Sequence, residues 1–170
     1  MAPDVVVRRA RLSDVGAIAT FVNAARLGST ATRRSELSQL DVAQRFGQVG
    51  FMIAERDGRL VGLLGWQVEN LVVRVIDFLI ASAGNSDSDA YAMTTKMEAE
   101  GAELQAESVL LFLPEHPSPG LVVFWERLGY EFQSFDKLPR AWQEAVVEQG
   151  RADQRVMVKR LKENSANRPL

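Results

Sequence analysis

Asp57-Gly58, set between the apolar runs Phe51–Glu55 and Leu60–Val68, constrains this chain more than any other feature. A two-residue Asp-Gly turn matches the twist of paired antiparallel strands, so the segment reads as a hairpin. A third strand-like run, Leu71–Ala81, follows a turn near Asn70 and completes an antiparallel meander. Next come the loop Ser82–Asp89 and a helical stretch with Met93, Met97, Gly101 and Leu104 along one stripe. The continuous apolar run Val109–Leu113 ends the series, and strand, helix, strand implies a parallel crossover.

The flanks extend the pattern. Val5–Arg9 reads as a short strand, and Ser13 is placed to cap a helix carrying Val15, Ile18, Ala19 and Val22. After a polar connection over Arg26–Arg34, the residues Leu37, Leu40, Val42 and Phe46 form a weaker helical pattern ending near Gly47. Pro119 and Gly120 precede a helix with Leu121, Val122, Phe124, Trp125 and Leu128, and Gly129 can end it in a left-handed conformation. Tyr130–Phe135 reads as a strand. Pro139 can open a helix with Trp142, Ala145 and Val146, closed by Gly150, before the alternating last strand Arg155–Lys159.

With 170 residues, 46% hydrophobic and 25% charged, the chain suffices for one well-formed core. The expectation is a single domain over 1–161 with a flexible tail at 162–170. A net charge of −2 with scattered Lys and Arg gives no basic stripe for nucleic acid. No apolar run approaches the roughly 20 residues that span a bilayer, and Met-Ala-Pro-Asp lacks a signal-peptide pattern, so a cytoplasmic protein with no membrane partner is expected. Without cysteine there is no disulfide, thiolate metal site or cysteine nucleophile, and a single histidine, His116, excludes a multi-histidine metal centre.

The Ser82–Asp89 junction, Ser-Ala-Gly-Asn-Ser-Asp-Ser-Asp, lies where an apolar strand gives way to a helix. A helix start offers unpaired backbone N–H groups and a partial positive charge, which suits an anion. Either Asp87 or Asp89 can use those donors itself as a cap.

The order strand, helix, helix, meander, helix, strand, helix, strand, strand resembles the GCN5-related N-acetyltransferase family. Val7-Arg8-Arg9-Ala10-Arg11-Leu12-Ser13-Asp14-Val15 resembles its opening strand, turn and capped helix, and Phe124-Trp125-Glu126-Arg127-Leu128-Gly129-Tyr130 resembles its late helix and next strand. The likeness covers about residues 5 to 161. It implies an α/β (α+β) fold: a mixed, mostly antiparallel, twisted sheet of six to seven strands with helices on both faces. It also implies a splay between the third meander strand and the next, parallel strand, near Ile80 and Leu110.

The resemblance implies acetyl-CoA as cofactor and an amine, small molecule or peptide, as acceptor. The family's Arg/Gln-x-x-Gly-x-Gly/Ala loop should fall on Asn85-Ser86-Asp87-Ser88-Asp89-Ala90, where only Ala90 fits. Both glycine positions carry side chains and two carboxylates would face the pyrophosphate, leaving backbone N–H groups to bind it weakly or not at all. Leu79, Ile80, Asn85, Ser86, Ser88, Ala90, Ser118 and Trp125 are the implied cofactor contacts. Ser118 falls near a family asparagine. Trp125 replaces the tyrosine that protonates the leaving thiolate, and an indole has no useful acidity.

For catalysis, Asp77 falls where the family carries a carboxylate base; the alternative is an exposed or arginine-paired carboxylate. Glu115 and His116 follow Val109–Leu113 at the acceptor edge, where His116 is a candidate general base and a surface residue between two prolines is its plainer role. Tyr91 and Tyr130 are candidate acids, with core packing the plainer role for Tyr130. Trp66, Trp125 and Trp142 suit core or pocket walls; Arg26, Arg33, Arg34 and Arg45 can attract an anionic acceptor or phosphate, a solvated, salt-bridged helix face being the plainer account. Two function classes stay open. One is the N-acyltransferase; the other is a non-catalytic module of the same fold, a homodimer or beside a partner protein. A cleft for a less phosphorylated ligand is a third.

Overall fold

The computed structural model describes residues 4–27, 36–81, 86–113, 116–148 and 155–162. Seven strands form one sheet: β1 (Val6–Arg9), β2 (Gly50–Arg56), β3 (Arg59–Glu69), β4 (Val72–Ile80), β5 (Ser108–Leu113), β6 (Glu131–Gln133) and β7 (Arg155–Arg160), in the order β1-β2-β3-β4-β5-β7-β6. The helices are α1 (Val15–Leu27), α2 (Gln39–Arg45), α3 (Ser86–Glu103), α4 (Pro119–Arg127) and α5 (Arg140–Glu148). Only β4 and β5 pair in parallel among the pairings described, as the crossover through α3 requires. The mixed, mostly antiparallel sheet expected from the sequence is present.

Contacts divide the chain into two compact units. Met1–Gln67 with Asp77–Lys96 forms the first, and Val68–Ile76 with Met97–Leu170 the second.

In the first unit, Asp57 and Gly58 both have positive φ (52° and 72°), the conformation an Asp-Gly hairpin turn demands. The two faces of the hairpin then follow from strand alternation. Phe51, Ile53 and Leu63 pack with Val15, Ile18, Ala19 and Val22 of α1 and Val42 of α2. Ala54 and Gly62 face α3 instead, where a Cβ on Gly62 would stand 2.5 Å from Met93 Sδ. That glycine lets the helix lie close to the sheet. Ser38 caps α2, accepting from Asp41 N at 3.1 Å while Asp41 accepts from Ser38 N at 2.9 Å.

Two local readings need correction here. Ser13 does not cap α1; a 3-10 turn, Leu12–Asp14, precedes the helix, and Asp14 accepts from Arg11 N at 2.7 Å. Arg8 also binds Asp14 through both Nη atoms, at 2.8 and 2.9 Å, and holds its carboxyl down to about 2. In addition α1 runs on to Leu27, past Arg26, so the expected polar connection starts later.

In the second unit, α5 covers one face of the sheet: Trp142 and Val146 pack with Val72, Leu110, Val156 and Val158. Residues of the opposite parity, Val109 and Met157, are buried, as are Met97, Trp125 and Tyr130. Gly129 has φ +91°, and Tyr130 N donates to Trp125 O, which closes α4 as the sequence predicts. Leu104 falls outside the stripe of Met93 and Met97: α3 ends at Glu103 and Leu104 is exposed. β6 is only three residues long, because Phe135 starts a 3-10 turn rather than continuing the strand. Gly150 and the tail 163–170 lie outside the described residues.

Candidate functional site

The first unit supplies the end of β4 and the start of α3. Ala81 N donates to Val61 O on β3 at 2.8 Å. By strand alternation Ile80 N–H then points to the other edge of β4, the side away from β3. In the second unit the parallel ladder runs from Val72↔Ser108 to Arg74↔Leu110, although β4 continues through Val75 and Ile76 and β5 to Leu113. Leu110 is thus the last residue of that ladder, and the pairing of the two strands ends near it.

At the start of α3, Asp89 is turned inward rather than toward a pyrophosphate, where both carboxylates were expected. It lies one turn ahead of Met93 on the buried stripe and is only 2% exposed. Its two oxygens accept from Arg56 Nη1 at 2.9 Å and Nη2 at 2.5 Å. Arg56 shares the strand face of Met52 and Ala54, so the end of the hairpin carries the guanidinium to the helix. A bidentate guanidinium of this kind, half-buried itself, neutralises the buried carboxylate where it stands. Asp87 and Ser88 are exposed, Ser86 is half-buried and Ala90 is buried. Asn85 lies outside the described residues. The first turn of an 18-residue helix therefore presents backbone N–H groups with one outward carboxylate, Asp87, rather than two.

Asp77 and Leu79 share the β4 face toward α1 and α2. Asp77 Oδ2 accepts from Arg45 Nη2 at 2.5 Å, at the last turn of α2. The arginine-paired alternative therefore describes its environment, with Arg45 as the partner; Arg74 pairs with Glu69 instead. Gly65 makes room for the arrangement, since a Cβ there would stand 2.9 Å from Asp77 Oδ2. Arg45 also lies over the Phe51 ring, 5.6 Å from its centroid. Tyr91 is 57% exposed on α3.

The second unit supplies α4 and the loop before it. Ser118 is the N-cap of α4 and accepts from Leu121 N at 3.3 Å, with Pro119 at the first helical position. His116 is exposed. Glu115 lies outside the described residues. Trp125 is buried and packs edge-on against Phe124 and Tyr130. Tyr130 OH donates to Glu98 Oε1 at 2.8 Å, and Glu98 Oε2 accepts from Lys159 at 2.8 Å. Burial, followed by the Glu98 charge and hydrogen bond, pushes the Tyr130 phenol far above its ordinary value, so it cannot serve as an acid near neutrality. A cavity of about 360 Å³ bordered by Lys137, Trp142, Lys159 and Arg160 lies toward the Ser108 end of the β5–β7 ladder, away from Ser118.

Sequence reasoning missed Arg56, and it named Arg45 without its pairing to Asp77. Counting back four residues from Met93 places Asp89 on the buried stripe, which demands a cation; nothing in the sequence singles out the hairpin arginine. Among the described residues no helix is long and apolar enough to cross a membrane, and no group of three or more His, Cys, Asp or Glu could hold a metal ion.

No protein-family model matches the chain, and no curated protein matches it. Solved structures do. An acetyltransferase of the GNAT family from Staphylococcus aureus is similar over 94% of this chain and 100% of its own, with a TM-score of 0.70 at 12% identity. A phosphinothricin acetyltransferase from Sinorhizobium meliloti, solved with acetyl-CoA, is similar over 98% of this chain and 93% of its own, with a TM-score of 0.69 at 15% identity. An N-acetylglutamate synthase from Neisseria gonorrhoeae, solved with coenzyme A and N-acetylglutamate, has a TM-score of 0.65 at 17% identity; the match covers 96% of this chain but 36% of that one. Element order, sheet topology and these likenesses agree: the chain has the fold of the GCN5-related N-acetyltransferases.

Proposed function

We propose that this chain is an acyl-CoA-dependent N-acyltransferase in which an amine attacks the thioester directly within a ternary complex. The observation that carries the reading is the burial of Asp89 against Arg56, which removes one of two charges that would repel a pyrophosphate at the start of α3. The coenzyme A and acetyl-CoA held by two of the similar structures support it at the level of the fold.

Backbone N–H groups of Ser86 and Ser88 in the first turn of α3 would hold the pyrophosphate, with Asn85 and Ala90 beside them. Leu79 would border the pantetheine side. Ile80 N–H would donate to the thioester carbonyl oxygen as negative charge develops there, a stabilisation that needs no particular side chain. The amine nitrogen bonds to the carbonyl carbon and the carbon–sulfur bond breaks. Asp77 takes the proton the amine loses, directly or through water, and Tyr91 returns one to the departing thiolate.

One observation favours a second reading, a non-catalytic binding module. Trp125 is packed at 3% exposure where the family's acid tyrosine would stand, so that position holds no proton to give. Thiol release from acetyl-CoA, followed across a broad panel of amines, decides between them. The acyltransferase reading expects acceptor-dependent release that Asp77→Asn lowers at least about 10-fold. Absence of release with every amine would sink it.

A further inference from the structure

Among the described residues of the first unit stand three arginine–aspartate pairs, and one differs from the others. Arg8–Asp14 and Arg56–Asp89 are bidentate, each carboxylate meeting both Nη atoms of its partner. Arg45–Asp77 is held by the single Nη2–Oδ2 contact, with both side chains about one-third exposed (35% and 29%). A guanidinium has five N–H donors and a carboxylate about four acceptor sites, so this pair keeps most of both unspent. An exposed, single-contact pair contributes little to stability, so it opens cheaply to a better partner.

The surroundings point to a partner. On the Gly65 side Asp77 Oδ2 is closely packed, since a Cβ there would stand 2.9 Å from it, 3.1 Å from Val49 and 3.2 Å from Phe51, so a partner meets the pair from its solvent-facing side. Phe51 and Phe46, with ring centroids 5.2 Å apart, form an apolar wall next to Arg45. A cation and an anion side by side, partly exposed and next to the aromatic pair, match a molecule carrying an ammonium beside a carboxylate. Its carboxylate meets the free donors of Arg45, and its ammonium meets Asp77.

We infer that Arg45 and Asp77 together select acceptors of the amino-acid type, in which the reacting amine is adjacent to a free carboxylate. The inference rests on the acyltransferase reading and names its substrate class. In this arrangement Asp77 receives the proton of the amine that it has bound, while Arg45 binds the acceptor without touching the reacting atoms.

The test compares the wild-type chain with Arg45→Gln, using free L-amino acids and their carboxamides as acceptors in the thiol-release assay, with melting temperatures recorded as a check on folding. The inference expects the wild-type chain to favour free acids over carboxamides at least about 10-fold in kcat/KM, as a charge-assisted bidentate contact would. Arg45→Gln should collapse that ratio about 10- to 100-fold through KM for the acids rather than through kcat. Arg45→Lys should restore it only in part, since an ammonium cannot make the forked contact. Equal effects on acids and carboxamides, or no wild-type preference, would overturn the inference while leaving acyl transfer intact. Absence of release with every acceptor would instead overturn the acyl-transfer reading. Calorimetric binding of the same acids and carboxamides to both proteins then still reads the pair, and absence of a carboxylate-dependent, Arg45-dependent difference overturns it.

Discussion

The hairpin end of the first unit and the junction of α2 with β4 each hold an arginine facing an aspartate, and the two pairs do opposite things. At the hairpin, half-buried Arg56 meets buried Asp89 in a bidentate contact, which fastens the start of α3 to the sheet. At the junction, Arg45 and Asp77 share one contact and face solvent with a third of their surface. The same two residue types give a fastening in one place and an open binding pair in the other. Burial and the number of contacts decide which, because an unpaired charge is costly only where water cannot reach it.

The largest effect should come from the buried pair. Arg56→Gln leaves Asp89 without its cation and should lower the melting temperature by roughly 10 °C, with Asp89→Asn in the same background recovering part of the loss. A shift under 2 °C in calorimetry would place Asp89 outside the core. Gly65→Val should come next: its branched side chain meets Asp77 Oδ2, Val49 and Phe51, so stability falls by about 1–3 kcal/mol in denaturant unfolding. Arg45→Gln, by contrast, should move the melting temperature by no more than about 2 °C, because the pair is exposed. A large shift there would make the junction a fastening too and erase the distinction.

A smaller effect concerns Arg8–Asp14, which lies between the two extremes. Its carboxyl is lowered from 3.8 to about 2, chiefly by the Arg8 hydrogen bonds. A lowered carboxylate adds stability that is complete above its unfolded value and is lost as pH falls toward the folded one. Asp14→Asn should therefore flatten the loss of stability between about pH 4 and pH 2 and change little at neutral pH. An unchanged acid limb would show that Asp14 is not held by Arg8.

Much of this fold was legible because it is written in local signals. Asp57-Gly58 set the hairpin, Gly129 ended α4 and the apolar run 109–113 marked the buried crossover strand. Ser13 misled because a 3-10 turn satisfied the first donors before the helix began, with the neighbouring Asp14 as acceptor. β6 came out shorter than its apolar pattern because the residues from Phe135 turn away toward α5. For the site, the positions of Asp77 and Ser118 could be read from element order. Their partners could not, since Arg45 lies 32 residues before Asp77 and Arg56 lies 33 before Asp89. Long-range charge pairing is set by which strand faces which helix, and that register is absent from any single stretch of sequence.

The claim on which all of this stands is that the first turn of α3 holds the phosphates of an acyl-CoA with Asp89 withdrawn and Asp87 alone opposing. Titration calorimetry of the purified chain with acetyl-CoA, with dephospho-CoA as control, measures it before any acceptor is known. The account predicts binding in the range of roughly tens of micromolar or tighter, strengthened about 3- to 10-fold by Asp87→Asn. No heat of binding at millimolar acetyl-CoA, with Asp87→Asn equally silent, would contradict it and leave a fold without its cofactor.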